Sequence, residues 1–179
     1  MNIVSPYTLL VEGMPEHLTV TRLVRGQLWT GAELSDGSAG IAMRSRTATL
    51  PRQYDTLTGL SARQAAGALS SWNLEEASDA MAVVNAWYNS EARLKSAGSA
   101  YDYRMPCTRG METRGKTVAL VGHLRLAPDT LAGAGRVYVL ERQPQPGDYP
   151  DAACEEILPR CDLVIITGSA FVNKTIPRL

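Results

Sequence analysis

Three short apolar runs in the second half of the chain constrain its fold more than any other feature. They cover residues 117–121, 136–140 and 163–166, and each ends in a glycine or a polar residue. Runs of this length, bounded by turn residues and separated by helical stretches, are typical of parallel strands that are buried on both faces. We expect crossover helices at 124–132 and 151–158. An irregular loop is expected at 143–150, which contains three prolines.

The first half has the pattern of an antiparallel meander. Strands are predicted at 18–24, 28–34 and 40–43. The turn before the last strand contains Asp36-Gly37, and Asp-Gly between apolar runs is a strong hairpin signal. These three strands can bury one common face.

Two helices are predicted after the meander. Ser61 can cap a helix that runs from residue 62 to about residue 70. Asn73 can cap a second helix, and Glu76 follows three residues later, which resembles a capping box. Apolar residues at helical spacing predict a stripe that faces the core. The stripe consists of Leu74, Ala77, Met81, Val84 and Tyr88.

These patterns predict an α/β protein with two domains. Residues 1–98 form the first domain, which we expect to be α+β. Residues 99–116 are predicted to be a linker, because glycine and proline lie there among polar and basic residues with little periodicity. Residues 117–179 form the second domain, with the parallel strands.

Composition excludes several classes of protein. Eighteen basic residues balance eighteen acidic ones, so the basic excess that is usual in nucleic-acid binders is missing. The sequence has no run of about 18 apolar residues that predicts a membrane-spanning helix. The first residues lack the pattern of a secretory signal, so we expect a cytoplasmic protein. Three cysteines without a signal predict reduced thiols rather than a disulfide framework.

The ends of the three predicted parallel strands supply the candidate site. They carry Gly122-His123, Glu141 and Thr167-Gly168-Ser169. In open α/β sheets, ligands bind in the crevice outside the carboxyl ends of the strands. If the strands are parallel, these polar groups meet at one edge of the sheet.

Each group at the strand ends also has an ordinary structural interpretation. His123 can cap the following segment or lie in a loop. Glu141 follows Gly122 at about the distance of the ribose-binding acid in a dinucleotide fold, but the loop is not G-x-G-x-x-G, so a nicotinamide cofactor has little support. Glu141 can instead pair with Arg142 or Arg160 on the surface.

The Thr167-Gly168-Ser169 segment can open a helix that ends near Thr175. Free backbone N–H groups at a helix start attract anions, and Lys174 can add positive charge. The segment does not match the P-loop pattern. The alternative is an ordinary strand-to-helix turn with a solvated Lys174.

A metal site must assemble from separate loops, because no local metal motif is present. The oxygen and nitrogen donors near the strand ends are His123, Glu141, Asp148 and Asp151, and the cysteines are the other donors. We take His123, Glu141 and Asp148 as the candidate metal ligands.

Several segments resemble the putative heavy-metal chelation family, formerly a domain of unknown function. In the second half, the resemblance is carried by residues 118–123, by 137–142 with 146–150, and by 161–175, the last of which is the most specific. In the first half, residues 72–78 and 84–86 resemble the family's amino-terminal domain. The likeness extends over most of the chain from about residue 18.

The resemblance implies a fold and a set of site residues. The first domain would resemble the amino-terminal domain of enolase, the second would be Rossmann-like, and a cleft between them would hold the site. The ligand would be a divalent or heavy-metal ion, a metal complex or another small molecule. The positions that match are Gly122, His123, Glu141, Asp148, Thr167, Gly168, Asn173, Lys174 and Thr175, beside the strand-end candidate Ser169. From the first domain, Asn73, Glu75 and Asn85 could face the cleft.

One departure from the family pattern concerns length. Family members usually continue past the Asn-Lys-Thr segment at 173–175, whereas this chain stops at Leu179. We therefore expect a fragment, or a parallel sheet that is covered by a partner. An exposed sheet face or edge favours association, which predicts a homo-oligomer or poor solubility.

Three functions remain open at this point. The first is a metal-handling protein, the second is an enzyme or binding protein for a small anionic or nucleotide-like molecule, and the third is a non-catalytic accessory module. The residues alone do not decide whether the chain is catalytic.

Overall fold

The computed structural model describes residues 5–96, 112–126 and 129–179. The described residues form two compact units. The first unit contains residues 5–96 together with Phe171–Pro177, and the second contains the described residues from 112 to 170 together with Arg178–Leu179. Most of the predicted linker lies outside the described residues, so the predicted domain boundaries stay a prediction.

The first unit contains the predicted antiparallel meander. Its strands are β1 (Val20–Arg25), β2 (Trp29–Leu34) and β3 (Ala39–Met43), in the order β1-β2-β3. Gly37 in the β2–β3 turn has a φ of +83°, which glycine adopts without strain. The hairpin signal therefore predicted this turn correctly.

Four helices accompany the meander in the described part of the first unit. They are α1 (Pro6–Glu12), α2 (Ala62–Gly67), α3 (Leu74–Tyr88) and α4 (Glu91–Ser96), and a 3-10 segment, Ala68–Ser70, extends α2. Ser61 caps α2 and forms a reciprocal capping box with Gln64. The predicted caps at Ser61 and Asn73 are both confirmed, because Asn73 accepts the backbone N–H of Glu76.

The capping-box prediction at Asn73 is wrong in its second half. The Glu76 side chain does not return to the start of α3. It is fully buried and accepts the backbone N–H groups of Gln53 and Tyr54. The Glu76 carboxylate therefore binds the segment before the helix, and it does not accept the backbone N–H of Asn73 as a capping box requires.

Helix α3 packs across one face of the meander. Ala77 and Val84 of the predicted stripe are fully buried, whereas Leu74, Met81 and Tyr88 are only partly buried. The helix is buried on more than one side, because polar residues such as Ser78 and Asp79 are also fully buried. A single apolar stripe was therefore too simple a prediction for this helix.

The second unit contains a four-stranded parallel sheet, which confirms the α/β fold class. Its strands are β4 (Thr117–Val121), β5 (Arg136–Glu141), β6 (Tyr149–Pro150) and β7 (Leu163–Ile166), in the order β6-β5-β4-β7. The three predicted strands are present. The two-residue strand β6 was not predicted, so the irregular loop expected at 143–150 is wrong in its last two residues. The enolase-like and Rossmann-like descriptions stay predictions.

One of the two predicted crossover helices is present. It consists of a 3-10 segment, Asp151–Ala153, helix α5 (Cys154–Ile157) and a second 3-10 segment, Leu158–Arg160. The helix predicted at 124–132 is wrong, since its described residues form turns and irregular chain. Pro128 lies in the middle of that stretch, and proline in a helix interior removes a backbone hydrogen bond.

The helix predicted to run from Ser169 to Thr175 is shorter than expected. Helix α6 (Ser169–Val172) has four residues, and a 3-10 segment, Ile176–Arg178, follows. Lys174 has a φ of +62°, a left-handed conformation that interrupts a right-handed helix. None of the described helices has the length and apolar character that a membrane crossing requires.

Candidate functional site

The carboxyl ends of β4, β5 and β7 are joined by backbone hydrogen bonds. Gly122 donates to Leu140 O at 2.9 Å, and Thr167 donates to Val121 O at 3.0 Å. Gly122 has a φ of +94°, and a Cβ at this position would lie 2.8 Å from Thr167 Cγ2. A side chain at position 122 would therefore collide with the Thr167 side chain and would require a backbone conformation that L residues rarely adopt.

Glu141 lies at the end of β5, and its carboxylate is held by backbone donors. It accepts the N–H groups of His123 at 3.0 Å, Arg142 at 2.7 Å and Gln143 at 3.4 Å. Burial opposes ionisation of this carboxyl, but the three N–H groups outweigh burial and lower the pKa of Glu141. The carboxylate is therefore ionised at neutral pH.

Asp148 is placed by the turn that precedes β6. Gly147 has a φ of +100°, and the backbone N–H of Asp148 donates to Gln145 O at 2.9 Å. The Asp148 carboxylate accepts the backbone N–H of Gln145 at 2.8 Å. This hydrogen bond lowers the pKa of Asp148. Burial acts in the opposite direction, and the ring of His123 lowers the pKa further.

His123 lies between the two carboxylates. Its Nε2 is 2.7 Å from Asp148 Oδ2, and its Nδ1 is 3.7 Å from Glu141 Oε2. The imidazole is 42% exposed, whereas the carboxylate side chains of Glu141 and Asp148 are 20% and 12% exposed. These three residues, termed the His–carboxylate cluster, form an acidic site with one solvent-accessible ring.

The donor atoms of the cluster are of the kinds that bind metal ions, but their positions do not form a three-ligand metal site. In the parts of the chain that the structure describes, no three His, Cys, Asp or Glu side chains are placed to hold a metal ion together. The reason is visible in the cluster, since Asp148 reaches Nε2 while Glu141 lies on the Nδ1 side of the ring. A metal ion at Nε2 would therefore have His123 and Asp148 as protein ligands.

Thr167, Gly168 and Ser169 lie at the end of β7, beside the end of β4. The hydroxyl oxygens of Thr167 and Ser169 are 3.2 Å apart, within hydrogen-bond distance. Helix α6 begins at Ser169 and has only four residues. Such a short helix provides little of the macrodipole that attracts anions to helix starts.

Asn173, Lys174 and Thr175 lie in the segment that belongs to the first unit. The Lys174 ammonium donates to the backbone carbonyl of Leu69 and lies 5.1 Å from the centre of the Tyr7 ring. Burial lowers the pKa of Lys174 from its usual 10.5 to about 8. Lys174 is therefore a partly buried amine that attaches the segment to the first unit, not a solvated lysine.

The depressed pKa of Lys174 predicts a pH-dependent stability. Between about pH 8 and 10.5 the unfolded chain holds a proton on this amine that the folded chain does not, so stability rises with pH in this range. Below about pH 8 both states are protonated and the gain is absent. Urea unfolding at pH 7.5 and pH 10 should show a larger gain for the wild type than for Lys174→Met. Equal gains would contradict the prediction.

The three first-unit residues implied by the family resemblance make internal contacts. Asn73 caps α3 and donates to Leu50 O, and Asn85 donates to Ile41 O. Glu75 pairs with Arg44 and lies 3.7 Å from Arg52. These contacts hold α3 against its neighbours, and a binding role for the three residues stays a prediction.

Two features of the site were missed from the sequence. The first is β6, which fixes Asp148 beside the end of β5, and its signal is the Pro146-Gly147 turn before an aromatic residue. The second is the set of backbone donors around Glu141, which no residue type reveals. The first feature depends on how the 143–148 loop returns to the sheet, and the second depends on the backbone at the ends of β4 and β5.

Comparisons with known proteins cover both halves of the chain. A family model, DUF364, described as "Putative heavy-metal chelation", matches residues 110–179, and a second model, DUF4213, with the same description, matches residues 7–88. A search of curated proteins finds no match.

Two solved structures resemble this chain over nearly its whole length. A DUF364-family protein of unknown function from Desulfitobacterium hafniense is 34% identical with a TM-score of 0.78, and the match covers 96% of this chain and 69% of that protein. A DUF364-family protein of unknown function from Pyrococcus horikoshii is 22% identical with a TM-score of 0.68, covering 96% of this chain and 70% of that one. The second likeness concerns the fold alone.

Proposed function

The chain belongs to the putative heavy-metal chelation family, and from this premise we propose that it binds a divalent metal ion at the His–carboxylate cluster. The observation that carries the proposal is the 2.7 Å contact between His123 Nε2 and Asp148 Oδ2 at the strand ends. The ion takes the place of the proton that joins these two atoms. Metal binding therefore releases a proton when the ring is protonated beforehand.

Charge favours a cation at this site over an anion. Glu141 and Asp148 both have lowered pKa values, so the cluster has two negative charges around one imidazole. An anionic ligand would be repelled by both carboxylates, and helix α6 is too short to offset this repulsion. The anionic-metabolite hypothesis therefore has less support than the metal hypothesis.

The contact between His123 and Asp148 requires only a small rearrangement to admit an ion. Zinc lies about 2.0–2.2 Å from imidazole nitrogen and carboxylate oxygen, so in tetrahedral coordination the two donor atoms must move to roughly 3.4 Å apart. The exposed ring of His123 can make this movement by rotation. Glu141, on the Nδ1 side, then orients the ring in the way that outer carboxylates orient metal-bound histidines.

The donor set favours borderline metals such as zinc, nickel and cobalt. Imidazole and carboxylate suit these ions, whereas soft ions prefer thiolates. Cys154 is fully buried, and burial raises the pKa of both Cys154 and Cys161. The protein supplies two ligands, so water or a chelating molecule fills the remaining coordination positions of the ion. Such open positions are compatible with a protein that takes up and releases metal ions.

Metal titration by calorimetry tests the proposal. Zinc, nickel or cobalt should bind the wild type at one site, and His123→Ala should weaken binding at least as much as loss of an outer partner does, which is roughly 10–100-fold. His17→Ala is the matched control, because His17 is the other histidine of the chain and is exposed. Its affinity should equal that of the wild type.

Substitution of the two carboxylates separates their roles. Asp148→Asn removes a proposed ligand, whereas Glu141→Gln removes a proposed orienting group and should cost less, about tenfold. If the wild type binds none of these ions, or if His123→Ala and His17→Ala bind equally, the proposed site is wrong. A larger loss in Glu141→Gln than in Asp148→Asn would exchange the roles of the two carboxylates.

A further inference from the structure

The meander β1–β3 has one covered face and one exposed face. Helix α3 packs on the first face. Four large apolar side chains lie on the second and are at least 49% exposed, a set termed here the outer sheet face. They are Val24 (49%), Trp29 (50%), Ile41 (62%) and Met43 (56%).

The strand register places these four side chains side by side. Val24 and Ile41 are both register partners of Gly31, one on each side, and Trp29 pairs with Met43. Gly31 has no side chain, so a shallow groove runs over it between Val24 and Ile41. The outer sheet face therefore has apolar ridges beside an apolar groove.

An exposed apolar face of this kind marks an interaction surface. Soluble monomers rarely expose contiguous apolar patches, and larger ones are usually binding sites. Tryptophan and methionine are also enriched at protein interfaces. The composition of the face therefore indicates that another protein surface covers it.

The charges at the border of the outer sheet face indicate which kind of protein surface binds there. Arg22 and Glu33 are register partners at one end of the groove and line it. Among the described residues, neither takes part in an ion pair. One free positive and one free negative charge complement an identical face, whereas a strongly acidic or basic partner would leave one of them opposed.

We propose that the outer sheet face binds the same face of a second copy of this chain, forming a symmetric dimer. In an isologous interface each copy presents the same patch, so Ile41 of each copy can enter the partner's groove and Arg22 can meet the partner's Glu33. The chain has zero net charge, so two copies approach without long-range repulsion. This dimer does not depend on metal binding.

Sedimentation over a range of concentrations tests the dimer. The wild type should associate, and Ile41→Arg should abolish association. Leu9→Arg is the matched control, because Leu9 is similarly exposed (57%) but lies on α1, outside the sheet. An unchanged thermal unfolding midpoint shows that each variant is folded. A wild type that stays monomeric up to about 1 mM, or association that survives Ile41→Arg, would overturn the proposal.

Charge reversal gives a second test that does not depend on the apolar substitution. Arg22→Glu and Glu33→Arg should each weaken self-association about tenfold, because each places like charges together in the dimer. A mixture of the two variants restores opposite charges across the interface, so the mixed dimer should form with nearly wild-type affinity. A mixture that associates no better than either variant alone would contradict the symmetric interface.

Discussion

Replacing Asp79 with alanine is expected to lower the free energy of unfolding of the first unit by about 3 kcal/mol, the lower end of the range for breaking a buried ion pair. Asp79 is fully buried in α3. Its carboxylate accepts hydrogen bonds from Arg25 at 2.9 Å, Arg52 at 2.6 Å and Thr30 at 2.9 Å. Without it, two neighbouring guanidinium groups lose their common partner.

The lower end of the range applies because both arginines keep some access to water. Their side chains are 34% and 22% exposed for Arg25 and Arg52, so water partly solvates the charges that are left. The hydrogen bond that Arg25 donates to Asp79 raises the pKa of Arg25 in the wild type, and an arginine side chain stays protonated in a protein even without such a partner, so the variant cannot lose this charge by deprotonation. The contact of Asp79 with Arg25 and Arg52 joins α3 to β1 and to the segment before α3.

Urea unfolding followed by tryptophan fluorescence measures the effect. All three tryptophans of the chain lie in the first unit, so their emission reports on its unfolding. Asp55→Ala is the control, because Asp55 is exposed and its removal should change stability by less than about 0.5 kcal/mol. A loss below about 1 kcal/mol for Asp79→Ala would show that the buried contact has little net effect on stability.

The parts of the fold that could be predicted from the sequence are those with a local signal. The Asp36-Gly37 hairpin, the cap at Ser61 and the apolar strand at 163–166 each depend on residues that are adjacent in the chain. The helix predicted at 124–132 fails because it was expected only as the crossover between two parallel strands, and that stretch contains Pro128, which disfavours a helix interior. The strand β6 was missed because two residues have no period, and only their pairing with β5 makes them a strand.

The candidate site could likewise be predicted only in part from the sequence. Parallel strands bring their carboxyl ends to one edge, so the proximity of His123 to Glu141 follows from topology. The position of Asp148 depends on the turn at Gly147, and the placement of the carboxylates on opposite sides of the ring depends on side-chain rotation. Neither is encoded in residue spacing, so the sequence could suggest three ligands but not their geometry.

Gly40→Ala is expected to have a comparable effect on stability, about 3 kcal/mol, because it introduces a methyl group where the backbones of β3 and α3 touch. A Cβ at position 40 would lie 2.5 Å from Ala82 O and 2.6 Å from Asn85 C, and it would also collide with Ala86 N. These are backbone atoms of a helix, which cannot move aside by a change of rotamer. The helix must therefore shift as a whole, away from the sheet.

Gly31→Ala provides the matched control on the neighbouring strand. Gly31 is a register partner of Ile41 in the same sheet, but a Cβ there would meet nothing closer than 3.8 Å. It lies on the face opposite α3, so at protein concentrations below those at which the chain self-associates we expect its unfolding midpoint in urea to change little while that of Gly40→Ala falls. Equal midpoints for the two variants would mean that α3 yields to the added methyl group, and that close contact between β3 and α3 is not what fixes the helix on the sheet.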